Sequence, residues 1–167
     1  PLIVGDSLYF YMSGRKTCDS FWDACSGTGL AKLRRDGFAS MDANKSEGTL
    51  LTRKLNFDGE YLFVNADASQ GQLKAEILDG NGKIINGYSK EQCIPVQINS
   101  TKAVIKWEGN KTLKSLAGKP VRIRFYNTNA SLFSFWISKY RTGESEGYTA
   151  GGGPGLHASG RDFPLNE

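Results

Sequence analysis

The stretch "KPVRIRFYNTNASLFSFWIS", residues 119–138, alternates apolar and polar side chains at every second position over most of its length. A period of two marks a strand with one buried face, because successive side chains leave the pleat on opposite sides. Val121, Ile123 and Phe125 fall on one face, with Arg122, Arg124 and Tyr126 on the other. The pattern recurs at 60–68, where Leu62, Val64 and Ala66 oppose Tyr61, Phe63 and Asn65. It recurs again at 72–79, where Leu73, Ala75 and Ile77 oppose Lys74 and Glu76. Further strands are expected at 8–13, 48–55, 103–107, 120–128 and 131–138, and only 112–118 has the makings of a helical turn. Short strands at even spacing, with no longer helical pattern, predict an all-β protein: a two-sheet antiparallel β-sandwich, jelly-roll-like, apolar between its layers.

The stretch "TGLAKLRRDGFASMDA", 28–43, carries an Asp-Gly pair inside an alternating run. Read as a type I′ turn, Asp36-Gly37 makes a hairpin in which Arg35 faces Phe38 and Lys32 faces Met41. Lys32, Arg34, Ala39 and Met41 then share one side. Before it, "GRKTCDSFWDACSGTG" reads as a loop, and from about Tyr140 the chain becomes a Gly-rich arm. The organisation expected is an N-terminal strand and loop (1–27), a sandwich (28–140) and an arm (141–167).

A chain of 167 residues can bury a core of its own, and a net charge of +4 permits an anionic partner without requiring one. There is no block of like charge to suggest nucleic acid and no apolar run to span a membrane, so neither partner is expected. The first residues lack the basic flank and cleavage site of a signal peptide. Cys18 and Cys25 are candidates for a local disulfide in an oxidising compartment, with Cys93 a buried thiol. No CxxC is present, and the only histidine, His157, lies in the Gly-rich arm, so a thiolate metal site is not expected. "DGNGK", 79–83, reads as a hairpin turn, because the closing glutamate of a calcium loop is missing. No cofactor is expected, and loop-end sites near Asp42 or Asp67 leave one structural calcium open.

Enzyme motifs are missing: no G-x-S-x-G elbow, no H-E-x-x-H, no P-loop. Glu76 and Asp79 stand three apart on one strand and so point to opposite faces, where they cannot flank one bond. The chemistry left is binding. Sugar rings present C–H faces that stack on aromatic rings, and carboxylates or sulfates take forked bonds from arginine. The candidate ligand residues are Trp136, Arg122, Arg124, Tyr126, Lys74, Arg34, Trp22 and Tyr88. Trp107 and Phe135 read as core, which turns Trp136 outward.

Three stretches, "TGLAKLRRDGFASMDA", "EGTLLTRKLNFDGEYLFVNADASQGQLKAEILDGNGKIINGYS" and "LAGKPVRIRFYNTNASLFSFWIS", together resemble a known arrangement. It is the C-terminal jelly-roll-like β-sandwich that follows a five-bladed propeller in bacterial glycoside hydrolases of the β-fructosidase-like group. The resemblance spans about Thr28 to Ser138. It implies that "PLIVGDSLYFYMSGR" closes the last propeller blade. The catalytic carboxylates of such enzymes lie in the propeller, so no catalytic residue carries over. Two functions follow as expectations. One is a non-catalytic carbohydrate-binding module of a secreted, periplasmic or cell-surface enzyme, taking an anionic polysaccharide such as a sulfated one. The alternative is a structural accessory sandwich packed on an upstream catalytic propeller without a ligand of its own. An exposed apolar patch near Leu8–Met12 would favour the second.

Overall fold

The computed structural model describes residues 1–15 and 26–144. The strands are β1 (Leu2–Val4), β2 (Ser7–Arg15), β3 (Ser26–Arg34), β4 (Met41–Ala43), β5 (Gly48–Leu51), β6 (Tyr61–Asp67) and β7 (Gln72–Asp79). They continue with β8 (Cys93–Ile94), β9 (Asn99–Val104), β10 (Lys106–Trp107), β11 (Val121–Thr128) and β12 (Ala130–Ser138). The one helical turn foreseen at 112–118 is a 3-10 turn, Leu113–Leu116. Every strand pairing is antiparallel. A four-stranded sheet runs β4-β12-β6-β9, a three-stranded sheet runs β5-β11-β7, and β10 pairs with β8. A separate three-stranded sheet, β1-β2-β3, precedes them.

The four- and three-stranded sheets form the sandwich, and period two builds its core. Leu62, Val64 and Ala66 of β6 meet Leu73, Ala75 and Ile77 of β7 and Val121, Ile123 and Phe125 of β11 in one buried cluster. Across the layers the Phe125 and Phe135 rings lie 5.0 Å apart. Each fully buried side chain of this size contributes about 1.5–3 kcal/mol relative to exposure. Trp107 fills one end, 1% exposed, and its indole N–H donates to the Ala75 carbonyl at 3.2 Å. The chain changes sheets between β4 and β5, β6 and β7, and β11 and β12. Asn129, at φ 42°, makes the last of these switches in a single residue, a conformation asparagine tolerates better than most. At the β6–β7 connection, a Cβ on Gly71 would lie 1.9 Å from the Thr128 carbonyl oxygen, so only glycine fits there.

Two expectations fail at the front of the chain. Asp36-Gly37 does not close a hairpin. Asp36 has φ 50°, but Gly37 is not at positive φ, and a type I′ turn needs both. The turn instead carries the chain from one sheet to another: β3 pairs along its whole length with β2, and β4 pairs with β12. The facing pairs expected across the turn therefore do not form. Residues 14–15 and 26–29, expected as loop, are strand, and Thr28–Arg34 side with the N-terminal sheet rather than the sandwich. Cys18 and Cys25 lie outside the described residues, and so does the arm from 145 onward.

Arg34 joins the N-terminal sheet to the sandwich. Its Nε donates to Asn65 Oδ1 at 2.6 Å, and its two terminal nitrogens donate to Asn99 Oδ1 at 2.5 Å and to the Ala66 carbonyl at 3.1 Å. The guanidinium also lies 4.7 Å from the centre of the Phe133 ring. Asn65 returns a bond to the Arg35 carbonyl at 2.7 Å, and Thr101 donates to the Asp6 carboxylate. Replacing Arg34 with alanine leaves Asn65 and Asn99 short of donors. It should cost about 1–2 kcal/mol at a half-exposed charged site and expose 35–40 to trypsin. Arg34→Lys, which lacks the fork, should do nearly the same, and unchanged cleavage in both variants would refute the joint.

Candidate functional site

The outer face of the three-stranded sheet collects four of the predicted residues. On β11 the inward residues are buried while Arg122, Arg124, Tyr126 and Thr128 are partly exposed, as strand parity requires. In register, Arg124 lies opposite Glu76 of β7, and Tyr126 opposite Lys74. The Glu76 carboxylate is 2% exposed although it points away from the core. Its Oε1 accepts from Arg124 at 2.7 Å and from the Tyr126 hydroxyl at 2.8 Å. A buried carboxylate needs such donors, since losing water uncompensated costs several kcal/mol.

The strip extends beyond the strands. The Lys90 ammonium sits 4.4 Å from the centre of the Tyr126 ring and bonds Glu47 Oε1 at 2.7 Å. Burial first of all pushes the Tyr126 phenol above its usual value. The Arg124 bond acts in the opposite direction, and Glu76 adds to the rise. The Tyr126 hydroxyl and, after it, Glu76 hold Arg124 charged more firmly than usual. Arg122 differs from its neighbours: its Nε is buried without a hydrogen-bond partner.

The other predicted residues go elsewhere. Tyr88 is a core residue, a correction to its expected place at a ligand. It is 5% exposed, packs edge-on to Trp107 at 5.4 Å, and spends its hydroxyl on the Thr112 carbonyl at 2.7 Å. Trp136 does face outward, on the four-stranded sheet, but it lies flat on Phe63 with ring centres 5.5 Å apart. Its N–H donates to the Gly143 carbonyl at 2.8 Å, so the ring clamps the chain as it leaves the sandwich. Gly143 must be glycine there: at φ +93° a Cβ would meet Lys102 Cδ at 2.8 Å. Arg34 is the joint described above, and Trp22 lies outside the described residues.

The eight predicted residues thus separate. Lys74, Arg122, Arg124 and Tyr126 form one strip, and the other described ones do not join it. Among the described residues no group of three or more His, Cys, Asp or Glu side chains could hold a metal ion. The Asp79 carboxyl is held below the usual range by the backbone N–H groups of Lys83 and Asn81, as a turn residue would be. Glu76 and Lys90 were not legible as partners, because the first contacts residues 48 and 50 positions away and the second belongs to a loop.

Comparison with known proteins finds no matching family model, no matching curated protein and no matching solved structure. The class of the protein therefore stands on its own geometry. It is an all-β, two-sheet antiparallel sandwich carrying an additional three-stranded sheet at its front.

The shift at Tyr126 has a sign that can be measured. A phenol whose folded pKa is raised supports the fold fully below the unfolded value of about 10 and loses that support as pH climbs through the folded value. Unfolding midpoints should fall across that alkaline window, and Tyr126→Phe should flatten the fall. An unchanged pH profile in the variant would contradict the Glu76–Tyr126 bond. Cys93 offers a second check. Burial raises its thiol pKa above all other influences, so it should react with a thiol reagent only after denaturation.

Proposed function

We propose that this chain is a non-catalytic accessory sandwich that docks on a larger folded domain through its N-terminal sheet. One observation carries the reading: β1-β2-β3 shows exposed apolar side chains on both faces, the second of which also carries Lys32 beside the Tyr9 ring and Arg34. Ile3, Leu8, Phe10 and Met12 share one face by parity and register, and Leu2, Val4, Tyr9, Tyr11 and Leu30 share the other. Only Leu8 of these is fully buried, while Leu2, Ile3, Val4, Tyr11, Met12 and Leu30 are 36–64% exposed. An antiparallel sheet with one solvated face shows apolar residues on alternate positions only. Apolar residues on both faces call for cover on both sides.

Among the described residues both edges of this sheet lack a further strand, since β2 is the middle strand and β1 and β3 lie outermost. Propeller blades have the matching form: four-stranded antiparallel sheets, each packed between two neighbours. Addition of one strand would pair one edge and complete a four-stranded blade, and two flanking blades would cover both faces. The resemblance to sandwiches that follow glycoside-hydrolase propellers points to the same partner, an extracytoplasmic polysaccharide-degrading enzyme. The expected polysaccharide site at the predicted residues keeps less support. Tyr88 is in the core, Trp136 and Arg34 are engaged by the chain, and Arg124 is paired with Glu76.

An exposed patch of this extent should bind a hydrophobic dye and drive self-association of the isolated chain. Tyr11→Lys with Leu30→Lys should weaken both, and Met12→Lys on the opposite face should weaken them further, while the unfolding midpoint of the sandwich stays unchanged. A chain that is monomeric by light scattering and dye-silent before any substitution would contradict the docking role.

A further inference from the structure

At the end of β9 the chain leaves the edge of the four-stranded sheet and re-enters as β10 beside β8. The last bond it gives β6 runs from the Ile105 N–H to the Leu62 carbonyl, 2.8 Å. Beyond that point the β9 ladder no longer flanks the start of β6. The next contact comes from Leu113, whose N–H donates to the Glu60 carbonyl at 2.7 Å. Between these two bonds the crossing strand and the loop 108–112 hold open a cleft of about 390 Å³. That is within the size range of small-ligand sites, roughly 300–1,000 Å³.

The lining mixes surface types in the way a sugar site requires. Its deep part is apolar, with Leu62, Leu113 and Trp107 all buried. At the mouth stand Tyr61, Asn110 and three cations, Lys106, Lys111 and Arg141. Glu60 is the single carboxylate of the lining, and Lys114 engages it at 3.1 Å. The side chains of Lys106 and Arg141 have no ionic or hydrogen-bonded partner among the described residues. The positive charge is therefore uncompensated where the cleft opens.

Two backbone features shape this mouth. Gly109 and Asn110, at φ 76° and 52°, bend the loop that carries Lys111. Gly87, at φ +91°, leaves the space that the Lys111 side chain occupies, since a Cβ there would lie 1.8 Å from Nζ. The ammonium stays 5.9 Å from the centre of the Tyr88 ring. Lys111 is thereby fixed at one side of the cleft, and Lys106 and Arg141 are the cations there with no partner among the described residues.

We propose that this cleft binds an anionic sugar unit of a polysaccharide, with its carboxylate or sulfate among Lys106, Lys111 and Arg141 and its ring against Tyr61. Cations without carboxylate partners attract the anionic substituent, and the aromatic and apolar wall takes the C–H face of the ring. The cleft shares no residue with the N-terminal sheet, so a sandwich docked there keeps it available. It also differs from the strip on the three-stranded sheet, where Arg124 and Lys90 are already paired with Glu76 and Glu47.

Affinity electrophoresis of the chain in gels of polygalacturonate, dextran sulfate and dextran tests this. Retardation is expected in at least one anionic polymer and not in dextran, and the two anionic gels separate carboxylate from sulfate. Lys106→Ala with Lys111→Ala should weaken binding at least about tenfold, as should Arg141→Ala, and raising the ionic strength should weaken it further. Lys74→Ala with Arg122→Ala removes two charges from the other strip and should leave binding within about twofold. Circular-dichroism midpoints confirm that each variant is folded, because all three substituted cations of the cleft are exposed. No retardation in any gel overturns the proposal. So does a loss produced by the Lys74/Arg122 variant and not by the cleft variants.

Discussion

Everything in this molecule depends on the inward faces of β6, β7 and β11 closing against one another. The Leu62–Val64–Ala66 row, the Leu73–Ala75–Ile77 row and the Val121–Ile123–Phe125 row leave water together. Apolar burial is non-directional, so it brings the sheets into contact without selecting a register. The period of two selects it, since a slip of one residue would drive Arg122, Arg124 and Lys74 inside. The cationic outer strip is thus a consequence of the core.

Once the sheets are closed, the polar residues outside them are largely committed to the fold. Arg34 spans from the N-terminal sheet to Asn65, Asn99 and Ala66. Trp136 holds Gly143, and Arg124 with Tyr126 satisfies a buried Glu76. Arginine and aromatic residues are the side chains a glycan site would use, but they are also those best suited to closing gaps between sheets. Their type alone does not distinguish the two uses. What distinguishes them is whether the donors have already been spent. By that measure Lys106 and Arg141 beside Tyr61 are unengaged among the described residues, and the sheet at the front keeps apolar side chains exposed, which is why the two proposals rest on these surfaces.

How legible all this was in the sequence depended on how local the deciding contact was. Strand β7 was read to the residue and β11 to within one, because alternation along a single strand decides both. Trp107 and Phe135 were read as core for the same reason. The β-bulge between Leu132 and Ser134 lies upstream of Trp136, so local parity still turned that ring outward correctly. Asp36-Gly37 misled because dipeptide identity signals a turn without saying which strand follows it. β3 found its partner in β2 and β4 found its partner in β12, far along the chain. Tyr88 sits in a loop where periodicity says nothing, and its burial comes from Trp107 and Thr112. The cleft at β9–β10 was invisible because a break at Ile105 inside one expected strand, 103–107, creates it.

The central claim of the docking proposal is that the N-terminal sheet lacks, among the described residues, the cover that would make it self-sufficient. Hydrogen exchange of the isolated chain, followed peptide by peptide, tests it most directly. Amides of β1, β2 and β3 should exchange through local opening, far faster than those of β6, β7, β11 and β12, which open only with the whole sandwich. Equal protection in both sets would mean that the sheet is stable without a partner, and the docking account would be wrong.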